Sequence, residues 1–184
     1  MTDRSLVRIA LFAAVIAVLG FLPPIPIPFL GGTPITAQSL GIMLAGVMLG
    51  PWRGAAAVVL FLMVVAIGAP LLAGGRGGLA VFQSPWAGFL YGWPLAAFVA
   101  GWAMQVTRSW RVIPAAFTAS VLGGIILLYL VAVPYLAAMT DKPLWDTFLL
   151  CAVFLPGDII KAGVVALVAD TVSRGLPSAL QSRS

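Results

Sequence analysis

The sequence predicts an all-α polytopic membrane protein, a single bundle of six transmembrane helices. Three observations predict it. Hydrophobic residues make up 62% of the 184 positions and charged residues only 8%, against about 25% charged in a soluble domain. The mean hydropathy is +1.12. The apolar residues fall into runs that approach the roughly 20 residues a spanning helix needs. Short stretches holding much of the Pro and most of the Lys and Arg separate them. Five or six such runs use most of the length, so one domain over 1–184 is all that fits.

Composition also excludes. The formal net charge is +5, but the basic residues are dispersed between hydrophobic segments, where they set topology and form no nucleic-acid patch. The chain has no histidine and one cysteine, so a disulfide framework, a zinc site and Ser–His catalysis all lack parts. No enzyme activity, metal or resident cofactor is expected. No Gly-x4-Gly-Lys-Ser/Thr phosphate loop occurs, so any ATP that drives the protein must be bound by another subunit.

The elements follow in order. Residues 6–22 form the first span; the start has the basic-then-apolar look of a signal peptide, but no small-x-small site follows and it is read as retained. The alternating prolines of 23–28 cannot be helical and are expected to cap the bundle, ending near Gly31 and Gly32. The second span covers 36–50 and is short. Pro51-Trp52-Arg53-Gly54 reads as a tight turn, and the third span as 55–70. A glycine-rich loop with Gly74, Gly75, Gly77 and Gly78 leads to the fourth span, 86–106, and a turn at 108–111 to the fifth, 112–133. Residues 135–145 read as the one watery loop of any length. The hydrophobic run 147–172 would be about 39 Å as a single helix, longer than a roughly 30 Å core, so a break is expected at Pro156 with the sixth span at 156–173.

Six spans put Arg4, Arg8, Arg53, Arg108, Arg111, Arg174 and Arg183 on one side and Arg76 and Lys142 on the other. That asymmetry places both termini in the cytoplasm of a cell-membrane protein. Within the sixth span stand Asp158 and Lys161. Ionised groups in a bilayer cost several kcal/mol, roughly 2.5–3.5 on insertion scales, and survive when paired or facing a cavity. Three residues apart, they share a helix face. Asp158 precedes Arg174 by about 24 Å of helix, which sets it in the outer part of the membrane. One reading is an ion pair that only neutralises itself. The other gives each charge a ligand: Lys161 a carboxylate, Asp158 the N–H groups of a ureido or amide.

Gln38, at the outer end of the second span, either bonds another helix or joins the ligand site. The glycine loop admits close backbone approach or acts as a gate. Of the aromatics after it, Phe82, Trp86, Phe89 and Tyr91, most read as interfacial-belt or core residues, and one or two are candidates to stack on a flat ring. Ala10-x-x-x-Ala14, Ala13-x-x-x-Ala17 and Gly46-x-x-x-Gly50 would permit close helix contact, although a chain this rich in Ala and Gly produces such spacings by chance.

These residues resemble BioY, the biotin-binding S component of energy-coupling-factor vitamin transporters. The resemblance rests on the small-residue first helix, Pro34-Ile35-Thr36-Ala37-Gln38 leading to Gly41 and Gly50, Gly68-Ala69-Pro70 through Gly77-Gly78-Leu79, and, most specifically, Leu155-Pro156-Gly157-Asp158-Ile159-Ile160-Lys161-Ala162. It implies a six-helix S component that binds biotin with high affinity near its outer face, in membrane lipid. It also implies partners, a transmembrane T component and ABC-type ATPases that consume the ATP. Asp158, Lys161 and Gln38 are the implied ligand residues, with Thr36, Phe82, Trp86, Phe89 and Gly78 around them. Ala10 and Ala14, with Ala13 and Ala17 adjacent, are the implied docking face. The chain departs from the family where Ser84-Pro85-Trp86-Ala87-Gly88-Phe89 stands for a Gly-Pro-Thr-x-Gly-Tyr type segment, so two polar contacts are missing. An S component for another vitamin, such as cationic thiamine, is the alternative; Lys161 and the scarcity of acids speak against it.

Overall fold

The structure, a computed structural model, describes residues 3–23 and 36–183. The proline-rich cap beyond Pro23, with Gly31, Gly32, Pro34 and Ile35, lies outside the described residues. Helix α1 spans Asp3–Gly20, α2 Gln38–Leu49, α3 Pro51–Ala66 and α4 Ala87–Val106. Helix α5, Val112–Val121, passes through a π-helical segment, Leu122–Leu127, into α6, Leu128–Thr140. Helices α7, Leu144–Ala152, and α8, Leu155–Gly175, complete the bundle. Among the described residues there is no strand, only an isolated bridge between Leu72 and Arg76. By length and composition two helices can cross a membrane, α4 and the continuous Val112–Thr140, and a third if the bent α7–α8 pair counts as one; α2 and α3 are shorter apolar helices.

Three boundaries differ from the sequence expectation. The turn expected at 51–54 is the first turn of α3. Gly50 alone turns the chain, with φ of +85°, and Pro51 suits a first helical position, where its missing N–H would be unbonded anyway. The fifth helix does not stop at 133, and of 135–145 only 141–143 is loop. The helix runs on to Thr140 because Leu136 is buried in the bundle, and it ends where Asp141 turns left-handed at φ 51°. The break expected at Pro156 falls at Val153 and Phe154. Pro156 sits in the first turn of α8, where no donor is lost, and α7 meets α8 at 54°.

The end of the bundle that holds the α2–α3 turn, the α4–α5 turn and the end of α8 is closed by small residues. A methyl on Gly46 would overlap the Ala97 carbonyl and one on Gly101 the Gly50 backbone; midway along the bundle, one on Gly123 would overlap the Ala96 carbonyl. The Gly46-x-x-x-Gly50 spacing is therefore used, to bring α2 against α4. The tail after α8 seals this end. The buried Ser182 hydroxyl donates to the Val47 carbonyl, Arg53 donates to the Gln181 side-chain oxygen at 2.8 Å, and Arg183 donates to Thr107 and Trp110 carbonyls at 3.0 and 2.9 Å. Partial burial lowers the Arg183 pKa.

Candidate ligand-binding site

At the opposite end α2 starts late. Its 12 residues rise about 18 Å from the Gly50 turn, well short of the roughly 30 Å of a bilayer core. A cavity of about 120 Å³ opens there, lined by residues from α2, the 67–86 connection, α4, α6 and α8, among them Thr36, Gln38, Ser39, Arg76, Trp86, Phe89, Asp158 and Lys161.

Its polar corner is the pair in α8. Lys161 Nζ lies 2.9 Å from Asp158 Oδ1 and 2.9 Å from the Ser39 hydroxyl. The Tyr129 hydroxyl donates to Asp158 Oδ2 at 3.0 Å. Asp158 is buried and sits in the first turn of α8, where the positive end of the helix dipole favours a carboxylate. The pair is thus held by a network drawn from three helices and still borders open space. A carboxylate has about four lone-pair directions and an ammonium three donors, so both groups keep capacity for a ligand.

The apolar wall is aromatic. Trp86 and Phe89 stack at 6.0 Å between centroids, and Phe154 meets their edges at 6.1 and 6.4 Å. The Trp and Phe that depart from the family pattern therefore supply ring surface where hydroxyls would stand. The exposed Arg76 borders the rim. Among the lining residues the ionised groups are Arg76, Lys161 and Asp158, one net positive charge.

Other sequence candidates fall elsewhere. Phe82 is not part of the lining; its ring packs against Tyr91 and its carbonyl accepts from the Tyr91 hydroxyl at 2.8 Å. Gly78 is not in the lining either. It caps the short 3-10 turn Leu79–Gln83, with φ of +81°, and its N–H bonds Val65. Gln38 borders the cavity, but its amide is engaged by the loop: Nε2 donates to the Leu71 carbonyl at 3.1 Å, and the Ala73 N–H donates to Oε1 at 3.0 Å. On α1, Ala10 and Ala14 are exposed, whereas Ala13 is buried in the core and Ala17 packs against it. Asp170 and Arg174 form the interfacial pair their spacing suggests, at 2.8 Å.

Sequence reasoning missed Ser39, Tyr129 and Arg76. A tyrosine in mid-span, away from the interfacial belt, was the available signal for Tyr129, since a buried hydroxyl usually finds a partner.

The BioY family pattern matches residues 1–178. The chain is 48% identical over 190 residues to the biotin transporter BioY of Rhodobacter capsulatus, covering 98% of this chain and 99% of that one. It is 49% identical over 182 residues to the biotin transporter BioY of Rhizobium etli, covering 96% and 97%. Among solved structures it is similar to the S-component for biotin from an ECF-type ABC transporter, with a TM-score of 0.87, 33% identity and 95% of each chain covered.

Proposed function

The chain belongs to the BioY family, and from that premise we infer that it is the biotin-binding S component of an energy-coupling-factor transporter. The observation that carries the reading is an Asp158–Lys161 pair on the wall of a cavity with aromatic sides and a second cation at its rim. Biotin has a ureido ring, an apolar thiophane and an anionic valerate. The ureido group offers N–H donors beside a carbonyl acceptor. Asp158 accepts from the N–H, and the third donor of Lys161 serves the carbonyl. One helical turn separates these two side chains, which matches one compact group and not both ends of the ligand. The valerate then goes to Arg76, through a charge-assisted bond. Trp86 and Phe89 cover the ring system, and Thr36 completes the polar edge. One net positive charge suits a monoanion and disfavours thiamine, a cation.

The protein spans the membrane six times in this reading, as α1, α2, α3, α4, the continuous α5–α6 and the bent α7–α8. Arginines 53, 108, 111, 174 and 183 gather at the end opposite the cavity, which supports cytoplasmic termini and an outward-facing site. Ala10 and Ala14, with Val7, Leu11 and Val18 exposed around them, form the face for a T component. ATP is consumed by its ATPase partners, and the rest of the apolar surface meets lipid.

Radiolabelled biotin binding to the purified protein tests the ligand, with thiamine as competitor. Saturable binding that thiamine does not displace is expected; displacement by thiamine, or no binding, overturns the reading. Arg76→Ala should weaken biotin roughly 10–150-fold, the range of a hydrogen bond to a charged group. The same variant should bind biotin amide as wild type does.

A further inference from the structure

The loop that carries Arg76 is a folded unit. Leu72 and Arg76 bond each other through both backbone N–H groups, at 3.0 and 3.2 Å, and Gly75 bonds back to Leu72 at 2.9 Å. Gly74 and Gly75 supply the left-handed turn, with φ of +80° and +71°. Leu72 and Ala73 are buried, and Leu72 and Arg76 both face the cavity. Among the described residues, one side chain hydrogen-bonds this unit to α2. Gln38, 1% exposed, donates to Leu71 and accepts from Ala73. The same two groups press on the end of α1: a methyl at Gly20 would overlap the Leu71 carbonyl and come within 2.8 Å of Gln38 Nε2. Neither Gly20 nor Leu71 nor Ala73 lines the cavity.

We propose that Gln38 is a positioning residue whose amide, seated against Gly20, clamps the 67–78 loop over the cavity and so holds Arg76 and Leu72 in place. The assignment rests on the reading of the cavity as the biotin site, but the clamp is a property of the loop with or without ligand. An amide bonded on both faces to backbone has one N–H left for a guest. Its main effect on binding passes through the loop. Gly20 has to be glycine because the Leu71 carbonyl and the Gln38 side-chain amide pack directly against its backbone.

The test uses the full chain in detergent, with two readouts: hydrogen exchange of the 67–78 amides without ligand, and the biotin dissociation rate. In wild type the Ala73 amide is expected to be protected. Gln38→Ala and Gly20→Ala should each remove that protection and each release biotin roughly tenfold faster, the size of one or two lost hydrogen bonds. The double variant should be no faster than either single one within about twofold, since both break one clamp. A direct ligand contact would give the opposite pattern. Gln38→Ala would keep the loop protected, Gly20→Ala would leave dissociation unchanged, and the two effects would not overlap; any of these overturns the clamp. An Ala73 amide that exchanges freely in wild type overturns it without any variant, which covers the case of a variant that does not fold. If wild type does not bind biotin, the ligand reading falls, and the exchange readout alone decides the clamp.

Discussion

Glycine does different work in the helix packing and in the loop over the cavity. Toward the end opposite the cavity Gly46 and Gly101 sit where any side chain would strike the backbone of a neighbouring helix. In the loop Gly68, Gly74, Gly75 and Gly78 have nothing within 4 Å of the place a methyl would occupy, and all four have left-handed φ. The first set removes space and the second bends chain around it. The polar groups divide the same way. Tail side chains such as Ser182 and Arg183, at the end opposite the cavity, bond backbone carbonyls and lock the tail in place. The pair of Asp158 and Lys161 is bonded sideways, to Tyr129 and Ser39, and keeps an open side. An end built to be closed should lose stability when altered, and an end built around a guest should lose binding.

The largest effect should come from breaking the Asp158–Lys161 pair on one side. Lys161→Met leaves a buried carboxylate uncompensated, costing about 3–5 kcal/mol, and biotin binding should vanish with it. The companion Asp158→Leu/Lys161→Met removes both charges, and replacing a buried pair by apolar groups is often neutral or stabilising. Its melting temperature should return to the wild-type value while binding stays absent. Recovery of binding in this double variant would break the comparison. At the end opposite the cavity, Gly101→Val has no room to relax and should cost about 3 kcal/mol, read as a lowered melting temperature. The fraction that remains folded should still bind biotin with unchanged affinity.

Smaller effects sharpen the contrast. Gly74→Ala meets no neighbour but forces a side chain into left-handed backbone, at about 1–2 kcal/mol. It should accelerate biotin release with little change in melting. Asp170→Asn breaks an ion pair with the exposed Arg174, typically worth less than about 1 kcal/mol. It should be silent in both melting and binding; a clear loss of binding there would mean that the end opposite the cavity also serves the ligand.

The charged site was legible where the sequence contradicts its own surroundings. Two ionised residues in a hydrophobic run announce themselves, and Pro156 marked the bend of α7 on α8 to within three residues. The partners of the pair were not legible, because Ser39 lies 122 positions from Lys161 and Tyr129 lies 29 from Asp158, and no local period connects them. Arg76 was missed for a different reason: in a loop, a lone arginine carries the same weight in a topology count whether or not it borders a cavity. Gln38 was found, but an amide both donates and accepts, so sequence alone could not say whether a ligand or a loop would satisfy it. The length of α5–α6 was hidden by Pro134, which the helix tolerates, and the docked tail by its brevity.

An experimental structure of the protein with biotin tests most directly whether the Asp158–Lys161 pair binds the ureido ring while Arg76 holds the carboxylate. The expected result is the ureido group within hydrogen-bond distance of Asp158 and Lys161, the valerate at Arg76, and the rings against Trp86 and Phe89. Biotin seated the other way round, with its carboxylate on Lys161, or seated elsewhere while the pair remains bonded only to Tyr129 and Ser39, would contradict it.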